Sequence, residues 1–204
     1  LAIAIEIGDR CGEGTVNGKL GDVFHSFGKY EKAKECHKKA LAIALEIGHR
    51  QEEETINGSL GNVFNSLGEY QKAKEYYENA LAIAMEIGNR KGEGTSIGNL
   101  GTVFNSLGEY QKAREYFEKS LAIAIEIGDR QGEGTVNGNL GDLFHSLGKY
   151  QKAKECHQKA LAIAIEIGDR KGEETIYGNL GDMFSSLGEY QRAKECSEKA
   201  LAIA

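Results

Sequence analysis

The chain has 204 residues with a formal net charge of −6, 27 glycines, and neither proline nor tryptophan. This balance argues against a nucleic-acid or anionic-membrane surface, which needs clustered Lys and Arg, because glutamate dilutes every cationic stretch. The sequence shows neither an apolar run of transmembrane length nor an opening signal-peptide pattern, so we expect a cytoplasmic protein. It begins at Leu1 inside a motif, and we therefore expect a piece of a longer array.

One motif recurs along the whole chain at a constant spacing. The segment Leu-Ala-Ile-Ala begins at Leu1, Leu41, Leu81, Leu121, Leu161 and Leu201, a period of 40 residues (41 − 1). Periods of this size indicate helical or β arrays. We predict one domain over 1–204, with repeats at 1–40, 41–80, 81–120, 121–160 and 161–200 and a partial helix end at 201–204.

Each repeat contains two helical patterns, named helix A and helix B. In the first repeat helix A is predicted from Gly14 to Phe27, with apolar residues at helical spacing at Leu20, Val23, Phe24 and Phe27. Helix B follows from Tyr30, with apolar or small residues at Ala33, Cys36, Ala40, Ala44 and Ile47. Gly28 and Gly48 suit the turns that end the two helices.

The glycines inside helix A need an explanation. Each of Gly14, Gly18 and Gly21 destabilises a helix interior by about 1 kcal/mol relative to alanine. A glycine at a helix contact lets two backbones approach closely, so we expect packing against neighbouring B helices to stabilise helix A.

The third copy shows a recognisable motif. Leu100-Gly101, Phe104, Gly108-Glu109-Tyr110, Ala113, Phe117 and Ser120-Leu121 resemble, in order and spacing, the tetratricopeptide repeat. The pattern recurs in all five copies, and its 40-residue length is similar to Pins/LGN-type adaptors and to long bacterial and invertebrate arrays. The resemblance implies an all-α fold, a right-handed superhelical α-solenoid of antiparallel helix hairpins.

The repeats depart from the family pattern at two aromatic positions. Asn17, Asn57, Ile97, Asn137 and Tyr177 stand where helix A usually opens with an aromatic residue. The late aromatic position of helix B is occupied by His37, Tyr77, Phe117, His157 and Ser197. These changes affect the packing expected inside each repeat and leave the fold prediction unchanged.

In the resembled family the A helices line a concave groove that binds an extended or helical peptide. The positions carried over lie on both sides of the Leu-Gly pair and one turn later. They are Asn99, Asn139 and Asn179 before it, Asp22, Asn62, Asp142 and Asp182 after it, and His25, Asn65, Asn105 and His145 one turn on. Asparagine can donate to and accept from a peptide backbone. The alternative interpretation is an ordinary solvated face.

The charges at these groove positions predict the kind of partner. Family members that grip acidic chaperone tails use several cations, and only Lys19 supplies one here, so we expect a neutral or basic protein or peptide. His25, Cys36 and His37 are residue types that can bind a metal, but their positions do not give the convergent geometry that a metal site requires. We therefore expect no metal and no cofactor. The cysteines at Cys36, Cys156 and Cys196 are expected to be free thiols, because stacked repeats hold them too far apart to bridge.

The sequence offers no converging catalytic set, and we predict no enzyme activity. The i, i+4 spacing of Glu46 and Arg50 suggests an ion pair at a helix end. The leading prediction is a peptide-binding scaffold. The alternative is a structural array that stacks end to end through Leu1, Ile3, Leu201 and Ile203.

Overall fold

A computed structural model describes residues 8–203, and this part of the chain contains ten α-helices joined by short turns. They are α1 (Arg10–Ser26), α2 (Tyr30–Ile47), α3 (Arg50–Ser66), α4 (Tyr70–Ile87), α5 (Arg90–Ser106), α6 (Tyr110–Glu126), α7 (Arg130–Ser146), α8 (Tyr150–Ile167), α9 (Arg170–Ser186) and α10 (Tyr190–Ile203). Odd-numbered helices are A helices and even-numbered helices are B helices. The predicted all-α array of helix hairpins is confirmed.

The helices form two compact units, an N-terminal unit up to Leu107 and a C-terminal unit from Gly108 onward. In the N-terminal unit α1 packs on α2 and α3 on α4, and each B helix also packs on the next A helix. The C-terminal unit repeats this arrangement, with hairpins α7–α8 and α9–α10 and with α6 and α8 packed on the following A helices. The prediction that 1–204 is one continuous domain stays a prediction.

Helix A begins at Arg10, four residues before the predicted start at Gly14. The reason is a cap, because the Asp9 side chain accepts a hydrogen bond from the Gly12 amide at 2.9 Å and satisfies one free donor of the first turn. His49, Asn89, Asp129 and Asp169 cap the later A helices in the same way. The predicted glycine turns are confirmed, since Gly28 and Gly48 adopt φ of +68° and +67°.

The core of each repeat combines B-helix alanines with larger A-helix side chains. In the second repeat Leu60 and Val63 of α3 are fully buried, as is Ala73 of α4. Burial of a Val or Leu side chain contributes roughly 1.5–3 kcal/mol, whereas alanine permits close helix approach. The A helices, rich in glycine, therefore depend on tertiary packing for their stability.

Asparagine replaces the aromatic residue at the opening of helix A without leaving a buried polar group unpaired. Asn57 is 4% exposed, and its Nδ2 donates to the Glu53 carbonyl one turn earlier at 2.7 Å. Asn17 and Asn137 make the same bond to Glu13 and Glu133. The helix backbone itself satisfies the amide donor, so the departure from the family pattern is tolerated.

The glycine of the Leu-Gly pair contacts a side-chain ring of helix B. A Cβ on Gly61 would lie 2.4 Å from Tyr77, and a Cβ on Gly141 would lie 2.5 Å from His157. Gly21 meets His37 in the same way. The expectation of two approaching backbones is thus corrected at this position: a ring lies on a bare backbone, and any side chain would displace it.

Candidate functional site

In the first, second and fourth repeats the residue that follows the Leu-Gly pair on helix A lies against the late aromatic position of helix B. Tyr77 donates its hydroxyl to Asn62 Oδ1 at 2.7 Å. His157 Nε2 lies 3.6 Å from Asp142 Oδ1, and in the first repeat His37 Nε2 lies 3.7 Å from Asp22 Oδ1. The predicted groove residues Asp22, Asn62 and Asp142 are therefore polar partners of buried rings as well as exposed side chains.

These pairs vary together between copies. Where helix B has histidine, helix A has aspartate, and where helix B has tyrosine, helix A has asparagine. The two positions are fifteen residues apart, as in Asn62 and Tyr77. Sequence reasoning treated them as separate rows and missed the pairing, although a comparison of the copies contains the signal.

Burial shifts the pKa values of these groups. Desolvation lowers the pKa of His157 to about 4 and raises that of Asp142 to about 6. Burial also lowers the pKa of His37. The Nδ1 atom of His37, like that of His157, is buried without a hydrogen-bond partner. Both histidines are 1% exposed, so they are neutral packing groups at neutral pH.

The pKa shifts act on stability in opposite directions. The pKa of His157 is lowered from 6.5, so the neutral ring contributes its full share to the stability of the fold above pH 6.5, and this share is lost as the pH falls through about 4. The pKa of Asp142 is raised from 3.8, so the protonated carboxyl contributes its full share to stability below pH 3.8, and this share is lost as the pH rises through about 6. Between about pH 4 and about pH 6 the stability lost at His157 as the pH falls is largely offset by the stability gained at Asp142.

The asparagines before the Leu-Gly pair are half-buried, and one connects two A helices. Asn179 Nδ2 of α9 donates to Asp142 Oδ1 of α7 at 2.8 Å. Asn139 lies beside the same cluster and lines the same cavity. The structure therefore brings Asn139, Asp142 and Asn179 together in the C-terminal unit, whereas Asn99 lies on α5 of the N-terminal unit.

The row one turn later is divided between histidines and asparagines. His25 Nε2 lies 3.0 Å from Ser66 Oγ of the next A helix, and the His145 ring makes the matching contact with Ser186 at 3.2 Å. Asn65 and Asn105 are half-exposed, and the Oδ1 atom of each is buried without a hydrogen-bond partner. Asp182 on α9 is exposed.

A cavity of about 270 Å³ lies between α7 and α9 in the C-terminal unit. Its floor is apolar and comes from α8, with Ala160, Ile163, Ala164 and Ile167. Its walls include Gly134, Gly138 and Gly172, and its polar rim includes Asn139, Asp142, Asp169 and Asn179. Three of the predicted groove residues therefore surround one concave site.

The equivalent gaps of the N-terminal unit are smaller or filled. Between α1 and α3 the cavity is about 90 Å³, and Glu52 stands there at the position of Gly172. Between α3 and α5 the Glu54 side chain enters the gap and approaches Gly92, with 7% of its surface exposed. The open site thus depends on glycines at 134 and 172.

The arginine at the start of helix A pairs both within its own first turn and with the end of the following B helix. Arg50 pairs with Glu86 of the following B helix and with Glu53, and its Nε to Glu86 Oε1 distance is 3.2 Å. Arg10 and Arg130 make the same pairs with Glu46 and Glu166. The suggested Glu46–Arg50 pair was wrong, because the left-handed turn at Gly48 places these residues on different helices.

The four cysteines are free, with Cys11 exposed and Cys196 buried. Within residues 8–203 no three His, Cys, Asp or Glu side chains come together as metal ligands, and no helix there is long and apolar enough to cross a membrane. Leu1 and Ile3 lie outside the described residues, whereas Leu201 is 79% exposed and Ile203 is partly exposed.

Solved structures with the same architecture cover nearly the whole chain. BtubC (BKLC) from P. vanneervenii is 26% identical with a TM-score of 0.77, covering 99% of this chain and 85% of that one. A putative kinesin light chain from Podosopora anserina with nearly identical TPR-like repeats is 19% identical, with a TM-score of 0.67 and 93% of each chain covered. A Rap protein complexed with Competence and Sporulation Factor is 18% identical, with a TM-score of 0.74, covering 94% of this chain and 63% of that one.

No curated protein sequence matches the chain. The sequence model of the tetratricopeptide repeat, in contrast, matches residues 52–126 and 132–204, and a second model of the same repeat matches residues 15–46. These matches cover most of the chain and agree with the helix hairpins, the glycine turns and the buried B-helix positions. The chain therefore belongs to the tetratricopeptide repeat family.

Proposed function

We propose that this protein-interaction scaffold binds a peptide segment of a partner protein along the face lined by its A helices. The observation that supports the proposal most strongly is the concave site between α7 and α9, where Asn139, Asp142 and Asn179 stand above an apolar floor. A cavity with an apolar lining and a few convergent polar groups is typical of a binding site.

The chemistry of this face suits a peptide backbone. An asparagine side chain offers both a donor and an acceptor, so it can pair with a peptide group without requiring a particular residue. Asn179 already donates to Asp142, which fixes its amide orientation before a ligand arrives. Such preorganisation reduces the entropy lost on binding.

The same face favours a neutral or basic partner. Asp142 keeps about half of its side-chain surface exposed, and Asp182 is exposed one repeat later. Carboxylates at a binding surface attract cationic segments and repel acidic ones. We also propose a cytoplasmic location, which the four free cysteines support.

The role that we propose is non-catalytic. His157 and Asp142 owe the shifts of their pKa values to burial against helix A and helix B. His157 is 1% exposed and its ring lies on Gly141, so it is a packing group that a substrate cannot reach.

The test is selection of peptides from a random displayed library, followed by titration calorimetry with the most enriched peptide. Asn139→Ala should weaken binding about tenfold, because it removes one or two hydrogen bonds of about 1 kcal/mol each. Asn79→Ala, on the exposed side of helix B, is the matched control and should bind like the wild type.

Two outcomes contradict the proposal. The first is a library that yields no binder while sedimentation shows concentration-dependent association, which favours the end-to-end array and gives the exposed Leu201 a role. The second is a selected peptide whose affinity is unchanged by Asn139→Ala and lowered by Asn79→Ala, which places the binding surface on the B helices.

A further inference from the structure

The N-terminal unit shows which kind of side chain fits the gap between successive A helices. Glu54 extends into the gap between α3 and α5. Its Oε2 accepts hydrogen bonds from Gln51 Nε2 at 2.8 Å and from Asn89 Nδ2 at 2.7 Å. This gap therefore holds a linear side chain whose anionic end meets two amide donors.

The equivalent gap of the C-terminal unit differs at two positions, and both differences favour a positively charged side-chain end over a negatively charged one. Gly134 stands where Glu54 stands, which leaves the gap open. Asp169 stands where Asn89 stands, so an anionic acceptor replaces an amide donor. Gln131 is retained, but here it donates to Asp169 Oδ2 at 3.0 Å. The open gap thus suits a long side chain that ends in a positive charge.

The charges and the apolar floor fit such a side chain. Hydrogen bonds from Gln131 and from the Gly172 amide lower the pKa of Asp169, which is therefore ionised at neutral pH. Asp142 supplies a second carboxylate to the same cavity, further along α7 and away from Asp169, and the exposed Lys171 is a single cation at the rim. Ile163 and its neighbours can cover an aliphatic stem, because long cationic side chains bury the stem and keep the charged end polar.

We propose that the cavity between α7 and α9 binds one arginine or lysine side chain of the partner, with its stem on Ile163 and its cationic end at Asp169. This inference rests on the proposed peptide-binding function and deepens it, because it assigns a specificity pocket to one repeat pair. The equivalent gaps of the N-terminal unit, narrowed by Glu52 and filled by Glu54, lack this pocket.

The experiment titrates the whole chain with three small probes and follows its glycine amides by NMR. The probes are the N-acetyl methylamides of arginine, of norleucine and of glutamate. The arginine probe should shift the amides of Gly134, Gly138 and Gly172, which line the cavity, with larger changes than norleucine produces and none from glutamate. Gly12 and Gly14 of the first repeat should respond little.

Two variants and one control make the result specific. Asp169→Asn keeps the helix cap, because asparagine caps as well as aspartate, and should abolish the preference for arginine over norleucine. Gly134→Glu combined with Asp169→Asn recreates the filled gap of the second repeat and should remove the response to arginine and to norleucine. Asp9→Asn changes the equivalent cap of α1 and should leave the arginine response unchanged.

The inference is overturned if norleucine or glutamate shifts these amides as strongly as arginine, or if the filled-gap variant still responds to arginine. This result is independent of the test of peptide binding. Selected peptides that bind the filled-gap variant as well as the wild type would leave the groove function standing and remove the pocket, whereas an arginine response without any selected peptide would do the opposite.

Discussion

The contact between Gly141 and His157 makes the sharpest prediction about stability. Gly141→Ala places a Cβ 2.5 Å from Cε1 and Nδ1 of His157, a ring that is 1% exposed and enclosed by helix A and helix B. Three residues earlier in the same helix, a Cβ on Gly138 meets nothing within 4 Å. The two substitutions thus differ in the space that surrounds the new methyl group.

The magnitudes follow from helix propensity and overpacking. Alanine in place of glycine stabilises a helix interior by about 1 kcal/mol, and this is the full effect expected for Gly138→Ala. Overpacking a rigid site destabilises by roughly 1–3 kcal/mol, and the closeness of the ring places Gly141→Ala towards the upper end. We therefore expect Gly141→Ala to be less stable than the wild type by about 1–2 kcal/mol.

The assay is urea unfolding followed by far-ultraviolet circular dichroism, with the midpoints compared at equal slopes. Gly181→Ala is an internal control, because its Cβ would lie 3.4 Å from Ser197 Oγ at an ordinary contact distance, and no loss is expected. The reasoning is refuted if Gly141→Ala unfolds at the same or a higher urea concentration than the wild type, or if Gly138→Ala is the less stable of the pair.

Three other predictions follow from the same contacts. Asp142→Asn removes the carboxylate whose pH-dependent effect on stability offsets that of His157. The urea midpoint of this variant should therefore fall more than that of the wild type between about pH 7 and about pH 5, and equal dependence of the two midpoints on pH contradicts the pairing. Arg130→Gln removes an exposed ion pair to Glu166, so its small loss of stability should disappear at high salt, and a loss that salt leaves unchanged argues against a screened pair. Cys11 is the exposed cysteine and should react fastest with a thiol reagent, as mass spectrometry of the labelled peptides can show.

The helices and turns could be predicted because they depend on local patterns. The apolar spacing of helix B and the glycines at 28 and 48 are properties of one repeat, and both agree with the structure. Local spacing fails where a turn intervenes. Glu46 and Arg50 are four residues apart, but the turn at Gly48 separates them, and Arg50 reaches Glu86 near the end of the following B helix.

The candidate site was only partly predictable, because it depends on contacts between helices. The rows containing Asn139 and Asp142 could be chosen from the family resemblance, yet their partners His157 and Asn179 depend on the register of α7 against α8 and α9. The cavity depends on glycine at 134 together with glycine at 172, on different repeats, so no single-repeat pattern could reveal it.

Peptide binding along the A helices is tested most simply by an NMR map of the most enriched peptide on the whole chain. We expect the amides of Gly138 and Gly178, on the A helices of the C-terminal unit, to shift on addition of the peptide, while those of the turn residues Gly148 and Gly188 stay in place. Shifts confined to the turns, or no shift at any A-helix glycine, would contradict peptide binding along the A-helix face.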